Sequence, residues 1–272
     1  MYGTAQTDSV AAPRAEPGPR HNCRHMAAAK AGLLVVVLLA WQLASLLWGL
    51  PDYVLSPLAI LKHFLAALGS QELYADVGAS LGRALPGFVI GSALGVALGL
   101  AAGVSRIFDG AFSPVVFLTY PVPKIVLLPL FMLWFGIGDL SKVLIIALAC
   151  FYPVFINAYY GARATQKILV WAALNMGAGP GRIFRGIVLP GALPQIFAGL
   201  RVSLALSFIV MFAAEMINAR SGLGHMIRIA ENSLRFDLMY VSLASIAILG
   251  YAGDRLLTLV REKTLAWQER PA

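Results

Sequence analysis

Few side chains in this 272-residue sequence are placed to do chemistry, and two stand out as charges inside apolar runs, Lys124 and Glu215. A charge at membrane depth costs at least about 2.5 to 3.5 kcal/mol on insertion scales, so such a residue faces a cavity or a partner. Lys124 sits in a stretch broken by Pro121, Pro123 and Pro129, and is a candidate for lining a path taken by an anion. The alternative is that it snorkels or pairs structurally beside unwound backbone. Glu215 is the only acid inside an apolar run apart from Asp254 at the end of another. It is a candidate for the same path, or a fastener that hydrogen-bonds across helices. An intramembrane enzyme needs paired acids, a Ser/His dyad or a His/Asp cluster at depth. None is found: the four His lie outside the apolar runs, and Ser203 and Ser207 are isolated hydroxyls expected to bond back to their own backbone. Cys23 and Cys150 are far apart with no Cys/His neighbour at ligand spacing, so no disulfide, metal or cofactor site is predicted.

The elements that hold these residues follow from composition. With 59% hydrophobic and 12% charged residues the chain is not an ordinary soluble domain. Six runs are long enough to cross about 30 Å of hydrocarbon: Gly32 to Leu50, Ala84 to Val104, Pro114 to Gly136, Val143 to Tyr160, Ile196 to Ile217 and Leu238 to Gly253. An all-α polytopic bundle of about six transmembrane helices is therefore predicted. Alternating from a cytoplasmic start puts Arg14, Arg20, Arg24, Lys30, Arg106, Arg163, Lys167, Arg182, Arg185, Arg255, Arg261, Lys263 and Arg270 inside. Lys62, Arg83, Lys142, Arg220, Arg228 and Arg235 fall outside, an asymmetry that favours both termini in the cytoplasm. That placement accounts for the net charge of +8 without a nucleic-acid partner. The organisation expected is a disordered basic start (1–30), a first span with an outer amphipathic segment opened by Ser56 and Pro57 (31–83), a core (84–265) and a cytoplasmic tail (266–272). In the second span Gly87, Gly91, Gly95, Gly99 and Gly103 recur every fourth residue. Small residues at that spacing let another backbone approach closely, which is the contact available where lipid supplies no hydrophobic drive.

The connection between the fourth and fifth spans, Gly161 to Gln195, is longer than a helix joint needs. A short apolar helix stopped at Gly177 and a second ending near Pro190 would form a rigid elbow across the membrane face, suited to docking. There is no G-x-x-x-x-G-K-[ST] phosphate loop, and the run Gly177-Ala178-Gly179-Pro180-Gly181 lacks the Lys, so it reads as a turn.

At this elbow Ala172, Ala173, Gly177, Ile187, Leu189 and Pro190 match the coupling-loop pattern of binding-protein-dependent importer permeases, with Trp171 where the pattern has Glu. Pro121-Val122-Pro123-Lys124, Pro129-Leu130, Trp134-Phe135-Gly136, Ala214-Glu215 and Gly222-Leu223-Gly224 resemble the aliphatic-sulfonate, taurine and nitrate branch of that family. The resemblance covers most of residues 55–268. It implies a permease subunit without enzymatic activity, in a bacterial inner membrane. Its implied partners are a second permease copy, a pair of ATP-hydrolysing subunits docked on the coupling loop, and an external substrate-binding protein. Trp171 and Leu174, three residues apart on one helix face, are candidates for a packing anchor in that contact, the alternative being that Trp171 rests in the membrane interface. The solute implied is a small anion, while related permeases also take uncharged heterocycles. An ion-gradient-driven secondary transporter is the competing reading. It places several acids or His residues along a path near the midplane, where Glu215 here stands nearly alone.

Overall fold

A computed structural model describes residues 23–47, 51 and 53–267. The chain divides after Pro51 into two compact units. The first holds α1 (Cys23–Leu47), which contains the first predicted span as far as Leu47 but begins nine residues before it, within the stretch 1–30 expected to be disordered; residues 1–22 and 48–50 lie outside the described residues. The second unit begins with α2 (Pro57–Ala67), whose N-cap Ser56 Oγ accepts from the Ala59 amide at 3.2 Å while Pro57 takes the first helical position. Then follow α3 (Gln71–Val104), α4 (Arg106–Thr119), α5 (Leu128–Phe135), α6 (Asp139–Arg163), α7 (Lys167–Asn175), α8 (Pro180–Ile183), α9 (Leu189–Asn218), α10 (Leu223–Asn232) and α11 (Phe236–Thr264). Among the described residues four helical stretches are long and apolar enough to cross a membrane, with a fifth crossing if the pair around the proline break counts as one.

The five glycines of α3 all face α6. A Cβ on Gly87 would lie 2.6 Å from Ile146, on Gly95 2.8 Å from the Phe151 carbonyl, on Gly99 2.5 Å from the Phe155 carbonyl and on Gly103 2.5 Å from Ala162. At Gly91 it would run into the Ala147 carbonyl. Each four-residue step along α3 meets a four-residue step along α6 in the same direction, so the two helices run parallel. α9 packs on the other side of α6 and runs against it, since Gly161 meets Ala192 whereas Gly199 meets Pro153 and Asn157. Cys150 and Ser203 seal this second seam reciprocally: the Ser203 hydroxyl donates to the Cys150 carbonyl at 3.1 Å, and the thiol donates back to the Ser203 carbonyl at 3.4 Å. Ser203 thus bonds across helices rather than to its own, because the close approach brings a foreign carbonyl within reach. Ser207 does bond back, to Leu204 at 2.7 Å.

Parallel α3 and α6 require the chain to cross back between them. It does so through α4 and α5, whose axes differ by 94° across the prolines. The remaining differences from the predicted spans are at ends, where polar residues continue a helix beyond its apolar run. α3 starts at Gln71 instead of Ala84, and α11 continues to Thr264. Pro190 does not end a helix. It sits in the first turn of α9, preceded by a π-helical turn, Phe184–Val188, that leads on from α8. A proline ring clashes with the carbonyl four residues back and donates no hydrogen bond, and the wider π turn accommodates both.

The α3–α6 seam makes a prediction. Gly91→Ala forces a methyl against a backbone carbonyl that cannot rotate away, and is expected to destabilise by about 1–3 kcal/mol. Gly78→Ala on the same helix meets open space and should be neutral or stabilising by up to about 1 kcal/mol. Thermal unfolding in detergent, followed by circular dichroism, checks this; equal midpoints for the two variants contradict the seam.

Candidate functional site

Three sites emerge, one at each end of the bundle and one at the proline break. The first is built on α3, where Asp76, Ser80 and Arg83 share a face at helical spacing and point toward the C-terminal end of α9. Glu215 is 0% exposed and Arg83 4%. Glu215 accepts from the Arg83 guanidinium at 2.5 Å, from the Ser80 hydroxyl at 2.8 and 3.0 Å, and from the Gly224 amide at 2.9 Å. Arg83 also donates to Asp139 at 2.6 Å and to the Ser221 carbonyl at 2.7 Å. Asp76 accepts from the Gly222 amide, and Ser80 from that of Leu223, at 2.7 and 2.8 Å. Gly222 has φ of +114°, and a side chain there would strike the Glu215 carboxylate. The network therefore welds α3, α6, α9 and the loop before α10 into one joint. Glu215, a candidate for lining the path, is a fastener in this geometry: its oxygens are occupied and it meets no open space.

Sequence reasoning missed Arg83, Ser80, Asp76 and Asp139. Arg83 lies one residue before the apolar run and so reads as a loop residue. The available signal was the 76–80–83 spacing, which aligns three polar residues on one face of a helix that must bury them.

The second site is the proline break. Lys124 opens a 3₁₀ turn, Lys124–Leu127, and its ammonium donates to the carbonyls of Thr119, Tyr120 and Val122 at 2.6, 3.2 and 2.7 Å. These are carbonyls freed where α4 ends, which Lys124 satisfies as a C-terminal cap. Its ammonium also lies 3.9 Å from the Tyr152 ring centroid, a cation–π contact. A cavity of about 310 Å³ opens at this point, lined by Tyr120, Lys124, Tyr152, Leu206 and Ile209 among others.

The third site is the elbow at the opposite end. α7 stops in a Schellman motif: the Ala178 amide bonds the Ala173 carbonyl at 2.9 Å, the Gly177 amide bonds Leu174 at 2.9 Å, and Gly177 has φ of +77°. Ala173, Ile183 and Val188 are buried with Leu100, Ala158, Ala192 and Ile196, which anchors the elbow to α3, α6 and α9. Ile187, Leu189 and Pro190 are half-buried at its exit into α9. Ala172, Trp171 and Leu174 point the other way; Trp171 is 59% exposed. One side of α7 is thus fixed, and the other presents an apolar surface that is exposed among the described residues.

The family described as binding-protein-dependent transport system inner membrane component matches residues 91–265. The taurine transport system permease protein TauC of Escherichia coli (strain K12) is 32% identical, over 86% of this chain and 87% of its own length. The riboflavin transport system permease protein RibX of Chloroflexus aurantiacus is 37% identical, over 86% and 88%. Among solved structures, a chain of the MetNI methionine ABC transporter in inward-facing conformations superposes with a TM-score of 0.54 at 20% identity, covering 76% of this chain and 97% of its own, a likeness of fold.

The buried joint yields a double-mutant test. Removing one partner of a buried ion pair strands the other charge and costs about 3–5 kcal/mol, so Glu215→Ala and Arg83→Ala should each destabilise by roughly that amount. The double variant should lose clearly less than the sum. Additive losses in detergent unfolding experiments would mean the two side chains are not coupled.

Proposed function

Because the chain belongs to the family of binding-protein-dependent transport system inner membrane components, a multi-pass permease subunit of ABC transporters, we propose that it forms an import path driven by ATP hydrolysed on separate subunits docked at the elbow. The observation that carries this reading is the elbow itself. α7 is stiffened by its Schellman stop, buried on one side and apolar on the other, and joined through α8 and the π turn to α9. A push on that surface reaches a helix that spans the bundle. Trp171 and Leu174, three residues apart, are the anchor that fills an apolar groove on the ATP-hydrolysing partner, in place of the Glu of the family pattern. A second copy of this chain and an external binding protein complete the assembly.

The path itself is the cavity at the proline break. Non-helical backbone at membrane depth persists only beside protein or water, and the Pro121–Pro123 segment borders open space. The solute proposed is a small anion such as an aliphatic sulfonate, taurine or nitrate, drawn by the Lys124 ammonium; the similarity to TauC supports it. A second reading, an uncharged heterocycle, is favoured by the similarity to RibX and by the aromatic and aliphatic lining from Tyr120, Tyr152, Leu206 and Ile209. The parallel run of α3 and α6, with α9 and α11 returning in turn, puts the end of α11 on the elbow's side, in keeping with a cytoplasmic C-terminus.

Reconstitution in vesicles with the ATP-hydrolysing pair and the external binding protein tests the whole reading, since uptake should follow ATP and persist when the membrane potential is collapsed. Within that system Trp171→Ala should weaken association with the ATP-hydrolysing subunit by on the order of 2 kcal/mol and uncouple hydrolysis from solute, with Trp171→Phe milder. Full partner binding by Trp171→Ala would sink the anchor. Lys124→Ala should raise the half-saturating concentration of an anionic solute, and unchanged uptake kinetics would remove Lys124 from the path.

A further inference from the structure

Arg201 and Asp254 form an ion pair at a level where hydrocarbon would surround a lipid-facing helix. The Cys150–Ser203 clasp joins α6 and α9 close to the midpoints of both helices, and Arg201 lies two residues from Ser203. At that level, half-way through the bundle, the Arg201 and Asp254 side chains are 62% and 32% exposed. Lipid tails would desolvate both charges, and ionised side chains within spans face a water-filled cavity or a protein partner instead. The guanidinium is also only partly satisfied. Asp254 takes Nε and Nη2 at 2.7 and 2.8 Å, and Nη1 makes no hydrogen bond among the described residues.

What covers this face follows from the order of residues on α9. Arg201, Ala205, Ile209 and Ala213 recur every fourth residue and so form one row along the helix. Ile209 and Ala213 line the cavity at the proline break, which Lys124 also lines. Ala205 and Arg201 are exposed one and two turns before Ile209. The open face is therefore continuous with that cavity. Its side chains also differ from those of a lipid face: α3 turns Val89, Ile90 and Leu94 outward, whereas this row begins with a guanidinium and a methyl group.

We propose that Arg201 and Asp254 line a water-filled path continuous with the Lys124 cavity, and that Arg201 contacts an oxyanion of the sulfonate class there through Nη1. Asp254 holds the guanidinium by two bonds and offsets its charge. The contact left over is a directed hydrogen bond without the net charge that would trap a passing anion. The identity of the solute and its travel along this row rest on the import reading. The presence of water on the face does not.

The test places single cysteines in the full-length chain, with Cys23→Ser, reconstituted in vesicles with the ATP-hydrolysing pair. Ala205→Cys reports on the row, and Ala93→Cys, exposed on α3 between the levels of Gly91 and Gly95, is the dry control. A thiol reacts as the thiolate, which needs water, so an anionic water-soluble methanethiosulfonate should label Ala205→Cys at least about tenfold faster than Ala93→Cys. Asp254→Asn uncovers the Arg201 charge and should raise the ratio of anionic to cationic reagent at Ala205→Cys at least about threefold, while Arg201→Gln should lower it. Methanesulfonate, unlike dimethyl sulfone at the same concentration and ionic strength, should slow the labelling at least about twofold, as half-occupancy would, and Arg201→Gln should remove that protection. Labelling no faster than at Ala93→Cys would overturn the proposal, and so would oxidative cross-linking of Ala205→Cys between two copies without aqueous labelling, which would assign the face to a second copy. Reagent ratios unchanged in both variants, or protection that survives Arg201→Gln, would remove Arg201 from the path. ATP-driven uptake by a chain whose Ala205→Cys stays unreactive would leave the import reading standing and overturn this one.

Discussion

The close approach of α3 to α6 is the constraint on which the rest of this bundle depends. In a bilayer the lipid tails are as apolar as Leu, so two helices gain nothing by hiding hydrocarbon from each other. What remains is dispersion at contact distance and the occasional hydrogen bond, and both demand that backbones touch. Five glycines provide a groove along α3 into which the Ala147, Phe151 and Phe155 carbonyls and the Ala158 and Ala162 methyls fit. Because every glycine meets its partner at the same step, the register is fixed along the whole seam; a slip by one residue would set side chains against carbonyls throughout.

Given that seam, the polar joint at Glu215 has a clear purpose. Packing alone aligns α3 and α6 but says little about α9 at its far end, where α10 and the loop before it must also be placed. Arg83 does this with one guanidinium, reaching Asp139 on α6, Glu215 on α9 and Ser221 in the loop. At low dielectric such bonds are strong and directional, and each unmade one is expensive, so the joint selects a single arrangement of the four elements. Arg201 and Asp254 play a lesser version of this part between α9 and α11, in a two-pronged pair at 2.7 and 2.8 Å that is more open to its surroundings.

Much of this was legible in the sequence, and the illegible parts share a cause. Spans, the glycine stripe, the Ser56 cap and the stop at Gly177 depend on neighbours within a turn or two of chain, and the order of residues carries that information directly. Which helix receives the stripe is a long-range fact, absent from spacing alone. Lys124 and Glu215 were recognisable as unusual because each stands in an apolar run. Arg83 and Lys142 were not, because each sits at the edge of a run where a basic residue is ordinary; their burial comes from helices that continue past the apolar stretch. Pro190 was read as a stop from a sound local rule, and the π turn before it removes the clash on which that rule rests.

α9 is also a beam of fixed length. Thirty residues of helix measure about 45 Å, with the elbow at its start and the Glu215 joint at its close. If one end is held and the beam swings by about 5°, the other end sweeps through roughly 4 Å, close to the rise of three residues of helix. Displacements at either tip are therefore amplified or reduced only by where the pivot lies. Were the Cys150–Ser203 clasp, near the middle, the pivot, a motion inward at one tip would become a comparable motion outward at the other.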